Sequence, residues 1–237
     1  MSDFWHLHHI NWLSELSATE SEVLRRESSV RRYAPGEMIF APTPDPSLVY
    51  ILEEGLVRIY RQSESGEEAT LGHVSPGEVF GVLAAFTRDG RESFAEAVKP
   101  SAVRKIPRKT FRRLLDTHPT LILEVTKQVG TRLKRVASRV EQLVFCDVRT
   151  RVARVLLDLT RDFGRREADR IVIDVPLRQG EFATLVGAVR QTVNPCLREF
   201  KHEGWIGHDG RRFIVYKVKE LRRVARIGTG EKGQAIE

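Results

Sequence analysis

Cysteine is nearly absent from this chain: Cys146 and Cys196 are the two among 237 residues. They lie 50 positions apart without a metal-type spacing, and in a reducing compartment they read as free thiols with packing roles. Two thiolates cannot supply the four ligands of an iron–sulfur cluster within one chain. Long apolar runs are missing too, since nothing approaches the roughly 18 residues of a membrane span. The start, "MSDFWHLHHINW", has neither the basic opening nor the unbroken apolar stretch of a signal peptide. A cytoplasmic protein with no membrane partner is the expectation. No serine–histidine–acid arrangement, phosphate loop or paired-carboxylate motif stands out, so neither an enzyme nor a resident cofactor or metal is expected.

What is present is enough apolar residue for packed cores, 41%, and an uneven charge. Residues 1–145 hold 20 basic against 19 acidic side chains, while residues 146–237 hold 19 against 13. Nearly all of the net +7 therefore sits in the last 92 residues. That polarity suits a polyanion partner for the C-terminal part, although solubilising charge gives the same balance.

The texture changes twice along the chain. "SATE", Ser17 to Glu20, is a capping box that predicts a short helix through about Ser28. From Tyr33 to about Ile106, short β-rich runs are broken by glycine and proline at Gly36, Pro42, Pro44, Pro46, Gly66, Pro76 and Gly77. "LVYILEEGLVRIYRQ" reads as the clearest hairpin, turning at Glu53–Glu54–Gly55. Many short strands at this spacing predict a barrel or jelly roll.

After Pro107 the pattern is helical. Ile122, Thr126, Val129, Leu133, Val136, Val140 and Leu143 recur at spacings of 4, 3, 4, 3, 4 and 3, an a/d stripe over about three heptads. Such a helix either covers its own barrel or pairs in parallel with a second copy. A homodimer would present two identical reading units, as a palindromic site requires. Asp147 can cap the next helix, which Gly164 ends. "RIVIDVPL" reads as a strand, two helices and a hairpin turning at Asp209–Gly210 follow, and a last helix begins near Lys219.

The two helices have the makings of a helix-turn-helix: apolar contacts from Phe182, Val186, Ala188, Val193 and Cys196, a small residue at Ala183, and Gly187 at the turn. The basic hairpin with Arg211 and Arg212 at its tip makes it a winged version. Over nearly its whole length the chain resembles the cyclic-AMP receptor and fumarate–nitrate reduction (CRP/FNR) superfamily of bacterial transcription regulators. The likeness is most specific in "VPLRQGEFATLVGAVRQTVNPCLREFKHEGWI", and "VEQLVFCDVRTRVARVLLDL" adds the family's hinge with Phe145 and Asp147 in place. It implies an α+β chain. A double-stranded β-helix (jelly-roll, cyclic-nucleotide-binding-like) domain would occupy residues 1–117, a dimerisation helix 118–145, and a winged helix-turn-helix 146–237.

The resemblance also assigns roles. The family reads DNA with Ser-Arg-Glu-Thr-Val-x-Arg, where this chain has Val189, Arg190, Gln191, Thr192, Val193, Asn194 and Pro195. Arg190 can donate two bonds to a guanine, and Gln191 is better matched to adenine than to cytosine. Asn194 belongs to the same reading surface, while Arg178, Thr192, Arg211 and Arg212 suit phosphate contacts. Pro195 replaces the second arginine. Mid-helix it costs about 3 kcal/mol, and Val189 forgoes an N-cap worth about 1 kcal/mol. Local rules would instead cap a new helix at Asn194 with Pro195 at its first position, so a kinked or re-started recognition helix is predicted.

The family's nucleotide cassette falls at "PGEVFGVLAAFTRDGRESFAEAV". The Gly-Glu-Leu that grips ribose falls at Gly81, Val82 and Leu83, and the Arg-Ser for phosphate at Glu92 and Ser93. The adenine-contacting Thr-Ser falls at Val136 and Ala137. Three sets of polar contacts are lost, and a carboxylate beside a phosphate repels it, so binding of cyclic AMP in the usual mode is not expected. Arg91 lies one position away and would restore a cation on a one-residue slip. Val82, Leu83, Phe86, Phe94 and Val136 either line a cavity for a small apolar effector or fill it. His6, His8 and His9, with Trp5 and Trp12, make a metal or haem site conceivable, and the alternative is an effector-responsive regulator on the same scaffold that takes a small apolar ligand, a haem or redox signal, or an unusual nucleotide. The reading is a homodimeric promoter-binding regulator whose partners are double-stranded DNA, a second copy and RNA polymerase. Its dimer stripe is Ile122, Val129, Leu133, Val136, Val140 and Leu143, and its effector is unknown.

Overall fold

The helix α1 (Ala18–Glu27) begins as its capping box predicts: Glu20 N donates to Ser17 Oγ at 3.4 Å, and Ser17 N to the Glu20 carboxylate at 2.7 Å. The computed structural model describes residues 17–83, 86–87 and 90–227. His6, His8, His9, Trp5 and Trp12 lie outside them. Two compact units divide within a long helix, one ending at Leu133 and the other beginning at Lys134.

In the first unit α1 leads into eight strands: β1 (Ser29–Tyr33), β2 (Met38–Phe40), β3 (Leu48–Glu54), β4 (Val57–Gln62), β5 (Glu68–Val74), β6 (Val79–Phe80), β7 (Phe94–Ala97) and β8 (Ser101–Pro107). They form two antiparallel four-stranded sheets, ordered β1-β8-β3-β6 and β2-β7-β4-β5. This is the expected jelly roll. Tyr33, Phe40, Tyr50, Leu52, Val57, Val74 and Phe80 fill a core drawn from both sheets.

The expected hairpin at Glu53–Gly55 is not one. β3 pairs with β8 and β6, whereas β4 pairs with β5 and β7, so the chain changes sheets at this corner. The register of β3 shifts between Leu52 and Glu54, as at corners where strands switch sheets. Gly55, at φ 98°, is pressed on the β7–β8 turn, where a Cβ would lie 2.7 Å from Ser101 Cα. Leu56 N then donates to Ser101 Oγ at 3.2 Å. Alternation specifies which side chains go inside, not which strand lies alongside.

Helices α2 (Arg108–Thr117) and α3 (Pro119–Phe145) follow. At 27 residues α3 is about 40 Å long. Leu121 and Val125 join Leu24, Ile106, Phe111 and Leu114 in a second core cluster, and Gln128 Nε2 donates to Val79 O at 2.6 Å. The heptad stripe lies on a neighbouring face: Leu133 is 68% exposed, Val136 57% and Val140 56%, with Ile122 and Leu143 about half exposed. Val129 alone leans back onto the core. One face of α3 thus covers the roll while the stripe stays open.

The second unit continues from the end of α3 into α4 (Val148–Phe163), where the Asp147 carboxylate accepts from Thr150 N at 2.7 Å. Then come β9 (Gly164–Glu167), β10 (Arg170–Ile173), α5 (Gln179–Val186), α6 (Arg190–His202), β11 (Ile206–Asp209), β12 (Arg212–Val215) and α7 (Val218–Ile227). The sheet order is β11-β12-β10-β9. The sequence pattern carries no sign of β9. Gly164 ends α4 in extended backbone, φ −76°, rather than a left-handed cap, and the chain runs straight into a hairpin with β10. Phe182 packs at a tilt against Phe213, ring centres 4.7 Å apart, and Leu156, Leu159 and Phe200 are fully buried.

Candidate nucleic-acid interface and sensor cassette

Gly187 makes the turn between α5 and α6. Its φ of 70° is left-handed, its N–H donates to Thr184 O, and Ala188 N donates to Ala183 O. A Cβ there would also lie 2.6 Å from Leu143 Cδ2. Phe182, Ala183, Val186 and Val193 are buried where the two helices meet, while Ala188 and Cys196 are half-buried. At the start of α5, Arg178 N donates to the Glu181 carboxylate at 2.6 Å, which leaves the Arg178 side chain exposed.

The predicted re-start of the recognition helix does not occur. α6 begins at Arg190, with Val189 as an N-cap that makes no side-chain bond, and runs unbroken through Asn194 and Pro195 to His202. Thr192 N and Val193 N both donate to Val189 O, at 3.1 and 3.2 Å. Tertiary packing overrides the local rule: Val193, Leu197 and Phe200 share one buried face. Phe200 also packs on Trp205 at 5.1 Å, and Glu199 holds Arg149 of α4 at 2.7 Å. Sequence reasoning missed that ion pair because its members are 50 residues apart.

The proposed DNA contacts have varied settings. Arg190, Gln191 and Thr192 are exposed on the first turn of α6, and Asn194 is half-buried. The Thr192 hydroxyl donates to Val189 O at 2.9 Å. In the wing, Gly210 turns the hairpin at φ 57° and leaves Arg211 and Arg212 exposed. Arg212 reaches Asp174 at 3.5 Å, and the Arg211 carbonyl accepts from Leu177 N at 2.9 Å. The same unit carries a carboxyl that the sequence did not single out. Burial, with a smaller push from Asp162, raises Asp158 to about 7 against the pull of Arg161, Arg139 and Arg154.

The apolar residues expected at the sensor cassette have different settings. Val82 is buried in the cluster beneath α2 and α3, Leu83 and Phe86 are exposed, and Phe94 stacks on Tyr60 at 5.0 Å. Val136 and Ala137 are exposed on α3, and Ser93 is half-buried. Glu92 faces solvent, paired with Arg61. Arg91 turns the other way and is 7% exposed. Its Nη2 donates to Leu48 O at 2.8 Å and Gly81 O at 3.4 Å, and its guanidinium lies 4.0 Å from the Phe40 ring centre. Gly81, at φ 70°, has no Cβ to obstruct it. Burial lowers the arginine's pKa, and its Nε finds no partner among the described residues.

Among the described residues no helix is long and apolar enough to cross a membrane, and no cluster of three His, Cys, Asp or Glu side chains is placed to hold a metal. Residues 30–118 match the model of the cyclic nucleotide-binding domain, and residues 150–224 that of the Crp-like helix-turn-helix domain. A CRP-like cAMP-activated global transcriptional regulator of Mycobacterium tuberculosis is 32% identical over 191 residues, 81% of this chain and 85% of that protein. A global nitrogen regulator of Synechococcus elongatus is 30% identical over 194 residues, 81% and 87% of the two chains. A transcriptional regulator of the CRP/FNR family from Thermus thermophilus superposes with a TM-score of 0.71 at 27% identity, over 85% of this chain and all of that one. A nucleotide-binding-type jelly roll, a long helix and a winged helix-turn-helix in this order make the chain a member of the CRP/FNR superfamily of DNA-binding transcription regulators.

Proposed function

We propose that this regulator works in the cytoplasm as a homodimer on pseudo-palindromic promoter DNA. Arg190, Gln191 and Asn194 read bases, while Thr192, Arg178, Arg211 and Arg212 meet phosphates. One observation carries the dimer: Leu133, Val136 and Val140 form an apolar stripe more than half open to water at heptad spacing, on the face of α3 beside the one that covers the roll. Stripes of this kind are buried in pairs. Two copies would offer two α6 helices to half-sites one duplex turn apart, and RNA polymerase is the expected further partner at a promoter.

The roll works without cyclic AMP in the usual mode and without a resident cofactor. The Mycobacterium tuberculosis relative is described as cAMP-activated. Here the carboxylate at the phosphate position points to solvent and the neighbouring arginine is already engaged by backbone carbonyls. Footprinting with two variants tests the DNA-reading roles. Arg190→Ala should relax specificity at one guanine by about 1–3 kcal/mol, and Arg211→Ala should weaken all sequences alike and lower the salt slope by about one. Uniform weakening by both would overturn the division of roles.

A further inference from the structure

We infer that Gly180 is a positioning residue for Arg190, its bare backbone on α5 forming the bed on which the reading guanidinium lies. This rests on the proposed base-reading role of Arg190. Gly180 is the second residue of α5 and has no left-handed backbone to justify a glycine. Alanine is the better helix former at such a position. The glycine is explained by what lies above it: a Cβ would fall 2.9 Å from both Cζ and Nε of Arg190 and closer still to Nη2.

The way Arg190 is held sets it apart from its neighbours. Arg149 is tied to Glu199 at 2.7 Å, and Arg212 to Asp174 at 3.5 Å. No ion pair holds Arg190 among the described residues, and its side chain is exposed. Its guanidinium lies over the bare backbone of Gly180 instead of against a carboxylate. A bed of that kind would favour the placed rotamer before DNA arrives and leave the fork of donors uncommitted. A methyl group at position 180 would lift the fork off α5 while the α5 backbone needs no change.

The test uses a duplex pool with a randomised centre of about two turns, enough for two half-sites. The fractions bound by full-length wild type, G180A, R190A and the double variant are sequenced, and melting temperatures are recorded alongside. Wild type should enrich a symmetry-related guanine that R190A no longer selects. G180A should melt at or above the wild-type temperature yet discriminate at that guanine about tenfold less, a large part of the roughly 5- to 150-fold that a bidentate arginine supplies. The double variant should match R190A. A merely structural glycine would leave selectivity at that one base untouched. If R190A loses the guanine while G180A selects it as strongly as wild type, the bed is refuted and the reading role survives. If wild type and R190A select the same sequence, the reading role falls and takes this inference with it.

Discussion

Replacing Pro195 with alanine should make the DNA-binding unit more stable. Because α6 is continuous from Arg190 to His202, Pro195 is its sixth residue. It offers no N–H to the Gln191 carbonyl, and its ring presses on that carbonyl, together about 3 kcal/mol. Proline also stiffens the unfolded chain, a gain of about 0.4–1 kcal/mol that alanine gives back. Pro195 is exposed, so little apolar burial is lost, and the net is about 2 kcal/mol in favour of Pro195→Ala. For a unit of this size, at about 4–8 °C per kcal/mol, the transition of the C-terminal unit should rise by about 10–15 °C in calorimetry. A helix re-started at Asn194 would give the opposite sign, because proline is well suited to a first helical position. An unchanged or lowered transition would refute the account of α6 as one helix held against its proline by Val193, Leu197 and Phe200.

Other outcomes are as definite. Asp158 has a folded pKa of about 7 against an ordinary value of 3.8, so its proton stabilises the fold fully below pH about 4 and this contribution fades as pH rises to 7. Between those limits wild type should lose on the order of 4 kcal/mol relative to Asp158→Asn; urea titrations whose difference stays flat with pH would show an ordinary carboxyl. Leu133→Glu places a charge in the middle of the open stripe and should convert a sedimenting dimer to a monomer with its circular dichroism intact, whereas a variant that sediments like wild type would remove the stripe from the interface. Cyclic AMP up to millimolar should change promoter affinity less than about twofold in fluorescence anisotropy, and a gain of about tenfold would mean that the cassette still grips the nucleotide.

The parts of this structure visible in the sequence are those whose chemistry closes within a few residues. Ser17 and Glu20 cap each other, Asp147 caps Thr150, Gly187 turns one helix into the next, and Gly210 turns the wing. The heptad spacing also marked out the stripe of α3 that the structure leaves exposed, because a stripe needs only the helix's own period. What stayed hidden was decided across long separations. The corner at Gly55 follows from Ser101, and the unbroken α6 from Arg149 of α4 and the buried row ending at Phe200. The stripe on α3 could cover its own barrel or pair with a second copy; in the structure Leu121 and Val125 do the covering, and the stripe from Leu133 to Val140 is left exposed. Gly180 gave no signal at all, since its meaning is the arginine ten positions later.

Arg91 and Glu92 show how much one position matters in the sensor cassette. Consecutive residues in extended chain point to opposite sides, and Arg91 bridges Thr43 in such a segment. Counted along the sequence, the cation and the carboxylate are neighbours, and a slip of one residue is a small repair. In three dimensions it exchanges inside for outside: Glu92 goes to Arg61 at the surface, and Arg91 goes to Phe40 and Tyr50 in the roll. A buried guanidinium stays protonated and needs acceptors, which Leu48 O and Gly81 O supply. An incoming phosphate would have to take Nη2 from those carbonyls and leave them without a donor in a buried site, or else meet the arginine without Nη2, the nitrogen that both two-pronged arrangements use. Either arrangement forfeits the two-pronged grip that makes arginine a strong phosphate ligand, so the cation nearest the cassette serves the roll's own backbone before it can serve a nucleotide.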